Sequence, residues 1–176
     1  MMIQQHKILI DNFVEVYVGY KLGVISEKQI LEFCEKGIII RSNESRIIEL
    51  RESYLKSLTC FTDKLIQFCN EDSVPLTYDY TGDLFNLPDE YFRIWELDAL
   101  LSINKMNLSN EEKLDKVYEL FYFFNFPKRW ALNSIIKYSL RMRNIMYNDN
   151  ELINNLNKYI GEELNYFLSR SKNIIK

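Results

Sequence analysis

Carboxylates are the only abundant catalytic groups in this 176-residue chain, and they crowd one stretch. Residues 71–98 hold Glu71, Asp72, Asp79, Asp83, Asp89, Glu90, Glu96 and Asp98 against a single base, Arg93. Asp79 and Asp83 flank Tyr80 and Gly82 where no helical period runs. Carboxylates so placed suit a divalent cation, which takes hard oxygen ligands. Their spacing departs from the calcium-loop pattern D-x-[DN]-x-[DN]-G, so the cation reading rests on residue type alone. The same charge would steer a basic protein onto the surface. It would also arise from a solvated loop with acids at a following helix N-terminus. In the docking reading, Asp79, Asp83, Asp89 and Glu90 supply charge, and Tyr78, Tyr80 and Tyr91 supply contact area, as aromatic side chains anchor interfaces.

Other chemistries lack their parts. His6 is the sole histidine and precedes the first strongly periodic segment, where chain ends fray. That argues against Ser-His-Asp and Cys-His triads. The five glycines are scattered and form no phosphate loop. Gly19 and Gly23 sit in and just after a helical pattern, not between a strand and a helix. The three cysteines, Cys34, Cys60 and Cys69, show no C-x-x-C pair and read as reduced thiols. The nine-residue spacing of Cys60 and Cys69 suits core filling. No catalytic residue, metal site or cofactor is therefore assigned.

Positive charge gathers downstream. No acid lies between Glu119 and Asp149, and Lys128, Arg129, Lys137, Arg141 and Arg143 fall in that gap, with Trp130 and Tyr138 among them. Basic residues interleaved with aromatics suit nucleic-acid phosphates and bases. The plainer reading is a helix that faces water or packs against the acidic segment. The run Phe121-Tyr122-Phe123-Phe124-Asn125-Phe126 is aromatic on every side and reads as the centre of the core. Any part of it left exposed would mark a partner site.

Helices must position these groups. Asp11 can cap a first helix carrying Phe13, Val14, Tyr17, Val18 and Leu22, with Gly23 ending it. Ser26-Glu27-Lys28-Gln29 is a capping box for a second helix, which Gly37 ends. Ile38–Ile40 fits either a short strand or a buried connection. From Ser42 or Asn43, apolar residues Ile47, Leu50, Tyr54, Leu58, Phe61, Leu65 and Phe68 predict one helix of six turns, ending near Asn70. Residues 73–87 read as a long irregular loop. Pro88 fits the first turn of the next helix, with Phe92, Trp95, Ala99 and Leu100 inward. Ser109 and Glu112 make a second capping box, followed by Leu114, Val117, Tyr118, Phe121 and Phe124. Pro127 breaks that helix. Another is expected from Lys128 to Met146, and a last one from the Asn148-Asp149-Asn150 turn to about Arg170.

The expectation is an all-α, single-domain bundle of about seven helices over residues 1–176, with one long irregular loop. Five glycines and three prolines suit helices better than sheets. A net charge of −3 argues against a general nucleic-acid coat. No apolar run approaches the roughly 20 residues that span a bilayer, and no secretory leader is visible. A cytoplasmic protein without a membrane partner is expected.

Two stretches resemble a known family. Val16-Tyr17-Val18-Gly19-Tyr20-Lys21-Leu22-Gly23-Val24-Ile25-Ser26 is followed by a helix. Lys116-Val117-Tyr118-Glu119-Leu120-Phe121-Tyr122-Phe123-Phe124-Asn125-Phe126-Pro127 ends on an aromatic step before proline. They resemble an uncharacterised bacterial family, domain of unknown function 2247. Asn125 stands where that family carries Asp. The resemblance implies a helical fold and a bacterial origin, and it supplies no catalytic residue. By genome context, small acidic helical proteins of this kind are often encoded beside polymorphic toxins as immunity proteins.

The leading expectation is a non-enzymatic protein-binding module of the toxin-immunity type, using its acidic surface against a basic toxin domain. The alternative is a nucleic-acid-binding module built on Lys128, Arg129, Lys137, Arg141 and Arg143. A third reading is a carboxylate enzyme around Asp79 and Asp83.

Overall fold

A computed structural model describes residues 1–72, 84–136 and 148–174. Nine α-helices occur among these residues: α1 Met2–Gln5, α2 Phe13–Lys21, α3 Glu27–Glu35, α4 Glu44–Lys56, α5 Leu58–Asp72, α6 Arg93–Lys105, α7 Asn110–Phe123, α8 Lys128–Leu132 and α9 Asp149–Ile174. Two 3-10 turns, Leu84–Asn86 and Asp89–Tyr91, precede α6. No strand forms among the described residues. Ile38–Ile40 is a connection in which Ile39 is buried between half-buried neighbours, and it carries one parallel bridge, Ile10 to Ile39. The fold is all-α.

The chain gathers into two compact units: residues 8–95, and residues 1–7 with 96–176. In the first, α5 packs against α2 and α4, and α4 packs against α3. The helix ends follow local chemistry. The α2 cap is Asn12, one residue beyond the expected Asp11, and its side chain accepts from Glu15 N at 3.0 Å. Asp11 uses its own N–H on the Glu15 carboxylate at 2.9 Å. The Ser26–Gln29 capping box forms. Gly23 and Gly37 take the left-handed conformation just past α2 and α3, with φ of 70° and 65°.

The expected six-turn helix is two helices. Ser57 is fully extended, with φ −172° and ψ 162°, and its Oγ accepts from Cys60 N at 3.0 Å to start α5. The apolar period runs unbroken across this turn, which is why periodicity alone joins the two. Cys60 is exposed rather than core-filling, whereas Cys34 and Cys69 are buried, and all three are free thiols. Burial pushes the Cys34 thiol up to about 12, and Cys69 is raised by burial and by Asp72.

A buried carboxylate clamps this unit. Asp72 accepts from Phe13 N at the start of α2 at 2.8 Å, and from Arg46 of α4 at 2.8 Å. A second Arg46 nitrogen reaches Glu71 at 2.9 Å. The guanidinium lies over the rings of Phe13 and Phe68, 5.2 and 4.9 Å from their centroids. Trp95 is wholly buried and donates to the Glu15 carbonyl at 2.7 Å.

In the second unit the N-terminal segment is tied down rather than frayed. Met2 and Ile3 are buried, and Ile3 N donates to Asp98 at 2.8 Å. The lone histidine, His6, follows α1 and is half-buried. The Ser109–Glu112 capping box starts α7 as expected, and Leu114 of α7 packs against Leu152 of α9. Asn148 and Glu151 cap α9 reciprocally at 2.9 and 3.0 Å. That helix outlasts the expected end near Arg170 by one turn. The helix expected from Lys128 to Met146 is short: α8 ends at Leu132, and Ser134 adopts φ 53°. Residues 137–146 of that expected helix lie outside the described residues.

Gly19 is a point of close approach, since a Cβ there would overlap the Trp95 indole. Gly19→Ala should therefore destabilise the fold by about 1–3 kcal/mol through overpacking. Urea denaturation followed by circular dichroism checks this.

Candidate functional site

The expected acidic site divides. Tyr78, Asp79, Tyr80 and Asp83 lie outside the described residues, as does most of the expected loop 73–87. Asp89, Glu90 and Tyr91 form the 3-10 turn after Pro88, so the acids precede α6 instead of opening it. Asp89 and Glu90 are exposed, and Tyr91 is half-buried. Burial raises the Tyr91 phenol, and Glu90 adds to the effect. Beside this turn, Phe85 stacks on buried Phe92 with ring centroids 5.6 Å apart. Other members of the acidic stretch serve the interior: Asp72 and Asp98 accept backbone N–H groups, and Glu96 is buried.

Of the basic candidates, Lys137, Arg141 and Arg143 lie outside the described residues. Lys128 is exposed. Arg129 turns inward, and one of its nitrogens donates to both Glu96 oxygens at 3.1 Å. Arg129 also donates to the Tyr159 hydroxyl. Trp130 is wholly buried, and its Nε1 donates to Glu96 at 3.1 Å. The plainer sequence reading, in which a base of this run packs against the acidic stretch, is realised at the Arg129–Glu96 pair.

This buried node joins α6, α8 and α9. Burial raises the Glu96 carboxyl to about 7, and the Arg129 charge and the Trp130 hydrogen bond only partly offset that. Buried Glu163 adds repulsion. Tyr159, raised by burial and by Glu163, lines a cleft of about 280 Å³ with Asn133, Ser134, Asn155, Lys158 and Glu162. A carboxyl near neutrality is a property of general acids and bases. Here both Glu96 oxygens are taken by Arg129 and Trp130, and the cleft reaches Tyr159 but is not lined by Glu96. Among the described residues, no three His, Cys, Asp or Glu side chains gather as a metal-binding group.

The aromatic run corrects the expectation of a core centre. Phe121 and Phe124 are buried, but Tyr122, Phe123 and Phe126 are 47%, 46% and 47% exposed. The amphipathic register of α7 explains the split. Leu114, Val117 and Phe121 take its inner face, and the next residues emerge on the other side. Past the helix end, Asn125 and Phe126 both adopt left-handed backbone, with φ of 53° and 62°. Such conformations are strained for residues with a Cβ. They set the Phe126 ring 5.0 Å from Tyr122 and 5.2 Å from Phe121. Tyr118 continues the ladder, 4.9 Å from Tyr122, with the two hydroxyls 2.6 Å apart. The aromatic residue types were visible in the sequence. Their exposure depends on helix phase and on the left-handed pair, which composition does not report.

These features define an all-helical protein with a buried acid–base node and an open aromatic face. The family model described as an uncharacterized protein conserved in bacteria, domain of unknown function 2247, matches residues 3–164. The chain belongs to that family. No curated protein and no solved structure matches it. No helix among the described residues is long and apolar enough to cross a membrane.

The node gives stability a pH dependence of definite sign. In the folded chain Glu96 holds its proton up to about 7, against an ordinary value of 4.5. The folded state binds more protons in that window, so this contribution is complete below about 4.5 and is lost as pH rises through about 7. Urea midpoints at about pH 5 and pH 8 should fall more steeply for the wild type than for Glu96→Gln.

Proposed function

We propose that this chain is a non-enzymatic protein-binding module of the toxin-immunity type, which holds a basic partner on an acidic, aromatic surface. The observation that carries the reading is the half-exposed cluster Tyr122, Phe123 and Phe126. Large apolar rings grouped at a surface lose favourable burial unless a partner covers them, and aromatic side chains dominate binding energy at interfaces. The exposed acids of the same helix, Glu111, Asp115 and Glu119, select a partner of opposite charge. The exposed turn at Asp89 and Glu90 carries the same sign.

Glu96 fits a structural carboxylate. Its carboxyl orders α6, α8 and α9 and leaves no oxygen turned toward a substrate. The nucleic-acid alternative is weakened by the commitment of Arg129 to that carboxylate.

Tagged full-length protein, incubated with extract of its native host, should retain a basic protein in stoichiometric amount and release it as salt is raised. Tyr122→Ser/Phe123→Ser should retain much less of that protein while keeping the wild-type helical spectrum. Equal retention by both proteins, or retention of nucleic acid alone, would count against the proposal.

A further inference from the structure

We infer that the outer ridge of α4 is a self-association surface, which pairs side by side and in parallel with the same ridge of a second copy of this chain. The ridge is distinct from the α7 face, and the inference does not rest on the partner-binding reading above.

The ridge follows from what holds α4 in place. At 100° per residue, Arg46, Leu50 and Ser53 share the inner side of the helix. Leu50 and Ser53 are buried there. Arg51 pairs with Glu35 of α3 on one flank, and Glu49 pairs with Lys64 of α5 on the other. The outward side keeps an apolar stripe of Ile48 and Leu55, which lie about 20° apart around the helix axis. Ile48 is 47% exposed and Leu55 is 83% exposed. Beyond the extended Ser57, Leu58 opens α5 at 58% exposure. Aliphatic side chains one heptad apart on the outside of a helix gain by burial against a matching seam.

Charge on the two sides of the stripe selects the occupant. Arg51 lies about 50° to one side of it and Glu52 about 50° to the other. Both are exposed. Arg51 has donors to spare beside Glu35, and Glu52 makes no ion pair among the described residues. A partner of uniform charge meets attraction on one side and repulsion on the other. A second copy related by a two-fold axis along α4 meets attraction on both. It sets its Glu52 against Arg51 and its Arg51 against Glu52, as flanking charges pair in parallel coiled coils. The same axis lays Ile48 on Ile48 and Leu55 on Leu55. An antiparallel two-fold pairing would instead set Arg51 on Arg51 and Glu52 on Glu52, which charge disfavours. The ridge is one helix wide and short, so the contact belongs to the small, transient class that buries less than about 1,200 Å². Protein concentration then sets how much of the chain is paired.

Analytical ultracentrifugation of the full chain tests this, in reducing buffer so that exposed Cys60 forms no intermolecular disulfide. Between roughly 10 μM and 1 mM the wild type should pass from monomer to dimer. Leu55→Glu and Leu55→Lys, changes at an open position that disturb no packing, should each raise the dissociation constant at least about tenfold. Mixed in equal amounts, the two variants should recover a dimer containing one of each, because position 55 faces itself across the axis. A wild type that stays monomeric over that range would overturn the inference. A dimer that survives Leu55→Glu would overturn the assignment to α4. Variants that stay monomeric when mixed would overturn the parallel pairing, and the charge argument with it.

Discussion

A carboxylate taken out of water must be met by donors or give up its charge, and the interior of each unit is organised by that constraint. In residues 8–95 the carboxylate is Asp72. It meets the first N–H of α2 and the guanidinium of α4, so one side chain at the end of α5 fixes the entry of two other helices. Its charge also lies at the positive end of α2. In the other unit the corresponding group is Glu96. It is met by Arg129 and Trp130 of α8, and through Arg129 it is linked to Tyr159 of α9. The two solutions differ in completeness. Asp72 has a backbone donor, a close guanidinium and a further arginine 3.9 Å away. Glu96 has fewer charged donors and a repelling neighbour, and its carboxyl is raised toward neutrality.

The local chemistry of helix ends was legible in the sequence. Ser26, Ser109, Gly23 and Gly37 act within four residues of themselves, and the spacing of partners is visible there. Signals failed where two local rules competed or where the partner was remote. Asp11 and Asn12 are both good caps, and only the fold shows that Asp11 spends its N–H on Glu15. The apolar period from Ile47 to Phe68 continues through Ser57, so the break is written in one hydroxyl and not in the hydrophobic pattern. Arg129 and Glu96 are 33 residues apart. No periodicity links them, and Arg129 looked like one more base in a basic run.

The candidate surface was half legible for a related reason. Aromatic residue types on all sides of a helix normally mean burial, yet burial is settled by what the rest of the fold places against each side. Helix α9 covers the Leu114 side of α7, and the opposite side keeps its acids and rings in water. Asp89 and Glu90 of the acidic turn are exposed. Charge alone did not separate water-facing from structural acids, since buried Asp72, Glu96 and Asp98 belong to the same acidic stretch as exposed Glu71, Asp89 and Glu90.

The cysteines carry a practical consequence. Cys60 stands in water, whereas Cys34 and Cys69 are sealed in the core with thiols held protonated by burial. Alkylation needs both access and a thiolate. A thiol reagent will therefore mark the native chain once, at Cys60. It will reach the other two only when α3 or α5 lifts from its neighbours, so the chain carries its own clock for local opening of residues 8–95, readable by mass without any added label.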